Sequence, residues 1–317
     1  LWDFSGPSFT ISSGENSVYR ALDIAEMFLA DKNIVAVVVT AVDLAGNPEN
    51  ILIRQRKNPI NSLKSTLSFE KDVNGWMIGE GAGSIVLKNI ENAKKDYEQI
   101  FAVLDAVEFS KGVSTFSVEN VGRKALKKAN LKTNEIGILE VCASGIVDED
   151  KVEMQGLSNL YSGENPTCAI SGTKANFGNT FSASGMASFI KVVLCLHHRF
   201  IPGIPNWNTP KEELQSENIF YVPEKSRPWL IKPGITKRCA AISGLGRDNV
   251  CSHLILSEFQ GNSHKNIEVS EFLDIYLFQL KGNDKADIFK NLNELEKDLK
   301  LGNELVSLSY RNFENSK

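Results

Sequence analysis

The chain has 317 residues, 42% of them hydrophobic, with 39 acidic against 35 basic side chains and a formal net charge of -4. Ample apolar content and balanced charge exclude a disordered chain, and no local basic excess is present to neutralise the phosphates of a nucleic acid. The longest apolar run, Ile34 to Leu44, is broken by Thr40 and Asp43 and is too short to cross a bilayer.

Residues Ser8 to Ser12 read as a short strand, followed by a helix from Glu15 to Ala30 with Val18, Leu22, Ala25 and Leu29 on one face. Ser12 and Glu15 have capping-box spacing at its start. Ile34 to Val42 is the Val-rich type of strand that is covered on both faces. Polar, loop-like sequence runs to Asp72, and the glycine-rich stretch Gly75 to Ser84 leads into Ile85-Val86-Leu87. An amphipathic helix from Val118 to Asn130 then precedes a strand at Ile136 to Cys142. A helix from Asp150 to Tyr161, a strand at Thr167 to Ser171 and a helix from Ser184 to His198 follow. After Pro202, Pro205 and Pro210 come two β-type runs, Arg238 to Ser243 and His253 to Ser257. This alternation predicts an α/β fold layered around a central sheet. Beyond Asn262 the composition changes, and Ile288, Leu292, Leu295 and Leu299 outline a charged amphipathic helix in a separate linker or docking unit.

Five cysteines (Cys142, Cys168, Cys195, Cys239 and Cys251) form an odd set without close pairing, which predicts reduced thiols and a cytoplasmic setting. The four histidines do not complete a zinc-ligand spacing with them, so no metal is expected. The chain opens on Leu1 without a signal-peptide pattern and reads as a piece of a longer polypeptide.

Five motifs occur in order. Gly6-Pro7-Ser8-Phe9-Thr10 leads to Glu15-Asn16-Ser17, with Ala21-Leu22 beyond, and Gly79-Glu80-Gly81-Ala82-Gly83 follows. Glu140-Val141-Cys142-Ala143-Ser144-Gly145 continues in register to Asp150 and Glu153. Lys174-Ala175-Asn176-Phe177-Gly178-Asn179 comes next, then Gly246 to His253. From Leu1 to Glu258 this series resembles the beta-ketoacyl synthase family of the thiolase-like fold. The resemblance implies a layered α-β-α architecture, with 1–112 as part of an N-terminal half and 113–260 as a C-terminal half. Residues 261–317 would begin a small α/β linker toward an acyltransferase domain.

The resemblance also implies a site, and the departures from it matter most. Glu15 stands at the position of the nucleophilic cysteine, and Cys142 and Asn179 stand at the two histidine positions. Condensation needs a thiolate to hold the acyl group and imidazoles to assist decarboxylation of the extender. Lys174, Glu153 and Asp150 keep the family's framework positions, where Lys and Glu belong to a buried polar network. Gly246, Arg247 and Asp248 replace or shift the loop that gates the acyl pocket; a match to Gly244-Leu245-Gly246 would make that loop two residues longer.

Plainer readings stand beside these. Glu15 suits a helix N-terminus and could reach back to Ser12. Cys142 suits a packed, inert thiol, Asn179 a local hydrogen bond, and His253 a structural role. His197 and His198 suit the end of a helix. The glycines at 79, 81 and 83 lack the strand-turn-helix context of a dinucleotide site.

The wording Trp2 to Pro7 and Ala41 to Gly46 resembles the non-condensing chain-length-factor ketosynthase of polyunsaturated fatty acid and iterative polyketide synthases. The implied partners are an active ketosynthase in a pseudo-dimer, an acyl carrier protein bearing phosphopantetheine, and a downstream acyltransferase domain. No cofactor is implied in this segment. A decarboxylase or unusual acyltransferase acting on carrier-protein substrates, and a structural docking module, remain as alternatives.

Overall fold

A computed structural model describes residues 6–44, 46–162, 168–211, 220–232, 234–261, 278–300, 308, 309 and 312. The expectations placed on Trp2 to Phe4, Ala45 and Thr167 lie outside the described residues. The chain divides into two compact units, Leu1–Asn262 and Ser263–Lys317.

In the first unit, a 3-10 turn at Gly14–Asn16 opens into α1 (Ser17–Leu29). Strand β1 (Val37–Asp43), α2 (Pro48–Gln55), β2 (Gly81–Leu87) and α3 (Ile90–Lys95) follow. Then come β3 (Val103–Lys111), α4 (Thr115–Ala129), β4 (Ile136–Glu140), α5 (Val147–Tyr161) and β5 (Cys168–Ser171). The short α6 (Lys174–Phe177) precedes α7 (Ser184–His198), β6 (Phe200–Ile201), β7 (Phe220–Tyr221) and β8 (Arg227–Pro228). The unit closes on β9 (Cys239–Gly246) and β10 (Val250–Ser257). In the second unit α8 spans Lys285–Lys300, and none of its residues is buried.

The main sheet has the order β3-β10-β9-β4-β5-β7. Strand β4 runs parallel to both β5 and β9, whereas β10 is antiparallel to β9 and β3. Helices α4 and α5 cover one face, burying Val118, Val121, Leu126, Leu157 and Leu160 against Leu139 and Ile255. Helices α1 and α7 cover the other, where Val18, Leu22, Phe189 and Val192 meet Ile138, Ile242 and Leu254. On the far side of α1 and α7 lies the antiparallel β1–β2 pair, whose inward residues Val37, Val39, Ile85 and Leu87 join that same cluster. This is the layered α/β fold around a central sheet that was expected, with the β1–β2 pair packed outside α1 and α7.

Several local expectations are corrected. Residues 7–13 form no strand, because nothing pairs with them among the described residues. The Ser12–Glu15 capping box is not made: Ser13 is the N-cap without a side-chain cap bond, and Glu15 turns toward Arg247. The polar stretch before Asp72 hides α2, which starts on an Asn47 cap accepting from the Asn50 N–H with Pro48 in its first turn. Helix α5 begins at Val147, three residues before the expected Asp150. Strands β9 and β10 run further than expected, so only Arg247, Asp248 and Asn249 lie between them. Asn249 adopts the left-handed region (φ +57°), which closes a three-residue hairpin.

Candidate functional site

The C-terminal end of β4 delivers the chain into residues 142–145, and α5 holds this loop with two carboxylates one turn apart. Glu153 accepts from the N–H groups of Cys142 (2.7 Å) and Ala143 (2.9 Å). Asp150 accepts from the Gly145 N–H at 3.3 Å and the Ser144 hydroxyl at 3.2 Å. Lys174, at the start of α6, donates to the Cys142 carbonyl at 2.6 Å. Lys174 and Glu153 thus meet on the backbone of Cys142, whereas Asp150 holds Ser144 and Gly145. The clamp holds Ala143 at φ +43°. A non-glycine residue there costs about 1–2 kcal/mol, less than two buried hydrogen bonds to a charged acceptor, each contributing roughly 1.5–3 kcal/mol.

Burial pushes the Glu153 carboxyl up to about 7 and the Asp150 carboxyl to about 6, against the downward pull of the hydrogen bonds they accept. Burial also pushes the Cys142 thiol up to about 12, with nearby Lys174 pulling the other way. Its Sγ stands 3.7 Å from Lys174 Nζ and 3.8 Å from the Leu245 carbonyl. At neutral pH burial keeps the group as the thiol. For Lys174, burial alone would lower the pKa, but Cys142, Glu153, Glu15 and Glu140 outweigh it and the net shift is upward. The ammonium stays charged.

Asn179 reaches the same place from the loop after α6. Its N–H donates to the Met77 carbonyl (2.8 Å) and its Oδ1 accepts from the Phe181 N–H (2.9 Å). The loop lies back to back with the glycine-rich segment: a Cβ on Gly79 would stand 2.3 Å from the Phe177 carbonyl oxygen, and one on Gly178 would stand 2.1 Å from that of Ile78. Only glycine permits this approach.

Glu15 projects from the 3-10 turn toward the β9–β10 hairpin. Its Oε2 accepts from the Arg247 N–H (3.3 Å), and its Oε1 lies 3.4 Å from the Arg247 Nε. Asp248 fastens the hairpin tip to the same turn by accepting from the Ser13 hydroxyl (2.6 Å) and the Asn16 amide (3.0 Å). Fully buried Asn16 also donates to the Val250 carbonyl and accepts from the Ser252 hydroxyl, both at 2.9 Å. Gly246 lies against it, since a Cβ there would stand 2.2 Å from the Asn16 amide nitrogen.

Glu15, Cys142, Asn179, Lys174 and Arg247 therefore line one narrow, partly open cleft. Asp150, Glu153, Gly246 and Asp248 stand behind its walls as supports. Sequence reasoning gave no role to Trp76, Glu149, Phe181 or Asn16. The first three line the cleft, and Trp76 and Phe181 pack edge to face at 5.3 Å. Arg54 on α2 was hidden by the loop-like composition around it; its guanidinium lies 3.2 Å over the Phe181 ring. No histidine lines the cleft among the described residues. His253 is fully buried beneath α5, its Nε2 3.4 Å from the Tyr161 hydroxyl, and burial lowers its pKa to about 4.

The family description for the N-terminal domain of beta-ketoacyl synthase matches residues 1–93, and that for the C-terminal domain matches residues 110–208. The chain belongs to the beta-ketoacyl synthase family. A polyunsaturated fatty acid synthase polypeptide of Thraustochytrium sp. is 31% identical over 83% of this ketosynthase-family chain and 13% of its own length. The solved "PfaC Keto synthase-Chain length factor" shares 36% identity, covering 81% of this chain and 23% of the other, with a TM-score of 0.62. The ketosynthase from module 6 of the bacillaene synthase of Bacillus subtilis 168 superposes with a TM-score of 0.74 at 24% identity. It covers 98% of this chain and 56% of its own, a likeness of fold. This chain spans about an eighth or less of the first two curated relatives. None of its described helices is long and apolar enough to cross a membrane.

Proposed function

We propose that this chain is a non-condensing ketosynthase-family domain that acts as the chain-length-factor-type partner of an active ketosynthase in a fatty acid or polyketide synthase of the polyunsaturated fatty acid type. One observation carries the reading. The cleft in which Glu15, Cys142 and Asn179 converge has Cys142 as its only thiol, near pKa 12, and no imidazole among the described residues. A thioester cannot readily form without a thiolate, and extender decarboxylation lacks proton-transfer help there. Meanwhile Lys174, Asp150 and Glu153 keep the cleft's walls in place. A maintained but unreactive site is expected where a partner needs the surface around it.

The names of the polyunsaturated fatty acid synthase polypeptide and of the ketosynthase–chain-length-factor structure support this reading. The growing chain would arrive on the phosphopantetheine arm of an acyl carrier protein, and residues 261–317 would lead toward an acyltransferase domain. The setting would be cytoplasmic. A decarboxylase role is disfavoured because Glu15 is already engaged by Arg247 and no second proton-transfer group stands at Cys142 or Asn179.

In a pseudo-dimer, residues 8–12 would gain the strand partner they lack among the described residues, with Phe9 at the contact. That ring is half exposed and packs edge to face on Phe28 at 6.0 Å. The test is to express the parent polypeptide with and without this domain, and to measure association with the neighbouring ketosynthase and product chain length. The reading expects a stable pair, weakened by Phe9→Asp, and altered length or yield on deletion. A monomer beside the ketosynthase, with product unchanged on deletion, would reduce the role to a spacer.

A further inference from the structure

The carboxylate of Glu15 is gripped by one residue in two ways, through the backbone N–H and the side-chain Nε of Arg247. The N–H is fixed in space: Asp248 ties the hairpin tip to Ser13 and Asn16, and Gly246 packs on Asn16 without room for a side chain. A backbone N–H and a guanidinium held at one point form a preorganised receptor for a planar carboxylate. A second cation stands nearby. The Arg54 and Arg247 guanidiniums lie 3.2 Å and 5.7 Å from the centroid of the same Phe181 ring, and Arg54 Nη1 is buried without a hydrogen-bond partner. Lys174, Ser144 and Asn179 add further polar groups to this volume, while Trp76, Ile146, Phe181 and Leu245 form an apolar wall and Glu149 adds a second carboxylate, so the anion-binding corner is confined to Arg247 and its neighbours.

We propose that the cleft contains a receptor for small carboxylates, occupied from within: Glu15 places its own carboxylate on Arg247 and thereby excludes carboxylate ligands such as a malonyl group. The receptor is emptied by shortening residue 15. Its existence does not depend on the partner role proposed above, since it rests only on the Glu15, Arg247 and Arg54 geometry.

The experiment uses the full chain, titrated with sodium malonate and sodium acetate by calorimetry, with thermal melting as a second readout. Sodium chloride at matched ionic strength is the control. Glu15→Ala is expected to bind malonate at least about tenfold more tightly than the wild type, and to melt higher as malonate is added. Glu15→Gln, which still fills the space, should bind no better than wild type. The double variant Glu15→Ala with Arg247→Ala should lose the gain. Equal malonate binding by wild type and Glu15→Ala would overturn the proposal, as would chloride stabilising Glu15→Ala as well as malonate does. If Glu15→Ala does not fold, Glu15→Ser is measured in the same way. Should malonate raise its melting temperature no more than that of the wild type, the proposal is lost.

Discussion

Glu153 uses both carboxylate oxygens on backbone N–H groups, and so the charge state of one buried side chain governs the loop that presents residue 142. Its folded pKa, about 7, lies above its ordinary 4.5, and that of Asp150, about 6, lies above 3.8. The folded state therefore holds these protons longer than the unfolded chain does, and their contribution is lost as pH rises from about 4 to the folded values of about 6 and 7. His253 acts with the opposite sign. Its folded pKa of about 4 lies below 6.5, and its Nδ1 has no hydrogen-bond partner, so stability is lost as pH falls from 6.5 toward 4. Urea unfolding of the wild type, Glu153→Gln and His253→Gln from pH 4 to 8 separates the two. Glu153→Gln should be less stable by roughly 1–3 kcal/mol at pH 7 and should lose the decline between pH 5 and 7. His253→Gln should lose the acid-side fall, a change on the order of 3 kcal/mol across its window. Unchanged slopes in both variants would show that neither group titrates with folding.

The crossing of the glycine-rich segment and the loop after α6 is the element-scale contact on which the cleft depends. Gly79 and Gly178 each face a carbonyl oxygen across it, whereas a Cβ on Gly81 would meet only the Thr180 methyl at 3.4 Å. Gly79→Ala should therefore cost roughly 1–3 kcal/mol and displace Asn179, while Gly81→Ala should stay near neutral. Thermal melts of the two variants test this, and equal losses would contradict it. Much of this scale was legible in the sequence. Helices α4 and α7 and strands β4 and β5 announce themselves because their apolar residues face covered layers at helical or strand spacing. Helix α2 did not, since it buries none of its residues and its polar composition mimics a loop. Nor was the short β9–β10 turn legible, because the left-handed Asn249 that tightens it looks like any loop asparagine. At the site, motif order identified the positions that converge, but the pairing of Glu15 with Arg247 joins residues 232 apart in sequence and needed the fold.

At the scale of the first unit, the α-β-α-β stack leaves the outer face of β1 and β2 showing Val38, Val42 and Val86 to solvent. Alternation along both strands explains this, since Val37, Val39, Ile85 and Leu87 point inward. Nothing in that stacking restores chemistry to the cleft, which has a consequence for repair. Glu15→Cys places a thiol at the start of a helical turn, where it could be acylated. Condensation should still fail, because positions 142 and 179 provide no imidazole, and losing general acid–base help costs on the order of 10²–10⁴ in rate. Turnover by that single variant at an ordinary ketosynthase rate would contradict the assigned positions. The most direct measurement is on the wild type: incubate it with acyl- and malonyl-loaded carrier protein, then record intact mass and ketoacyl product. The account predicts an unmodified chain and no product. A stoichiometric acyl adduct on Cys142, or ketoacyl product formed by this chain alone, would contradict it.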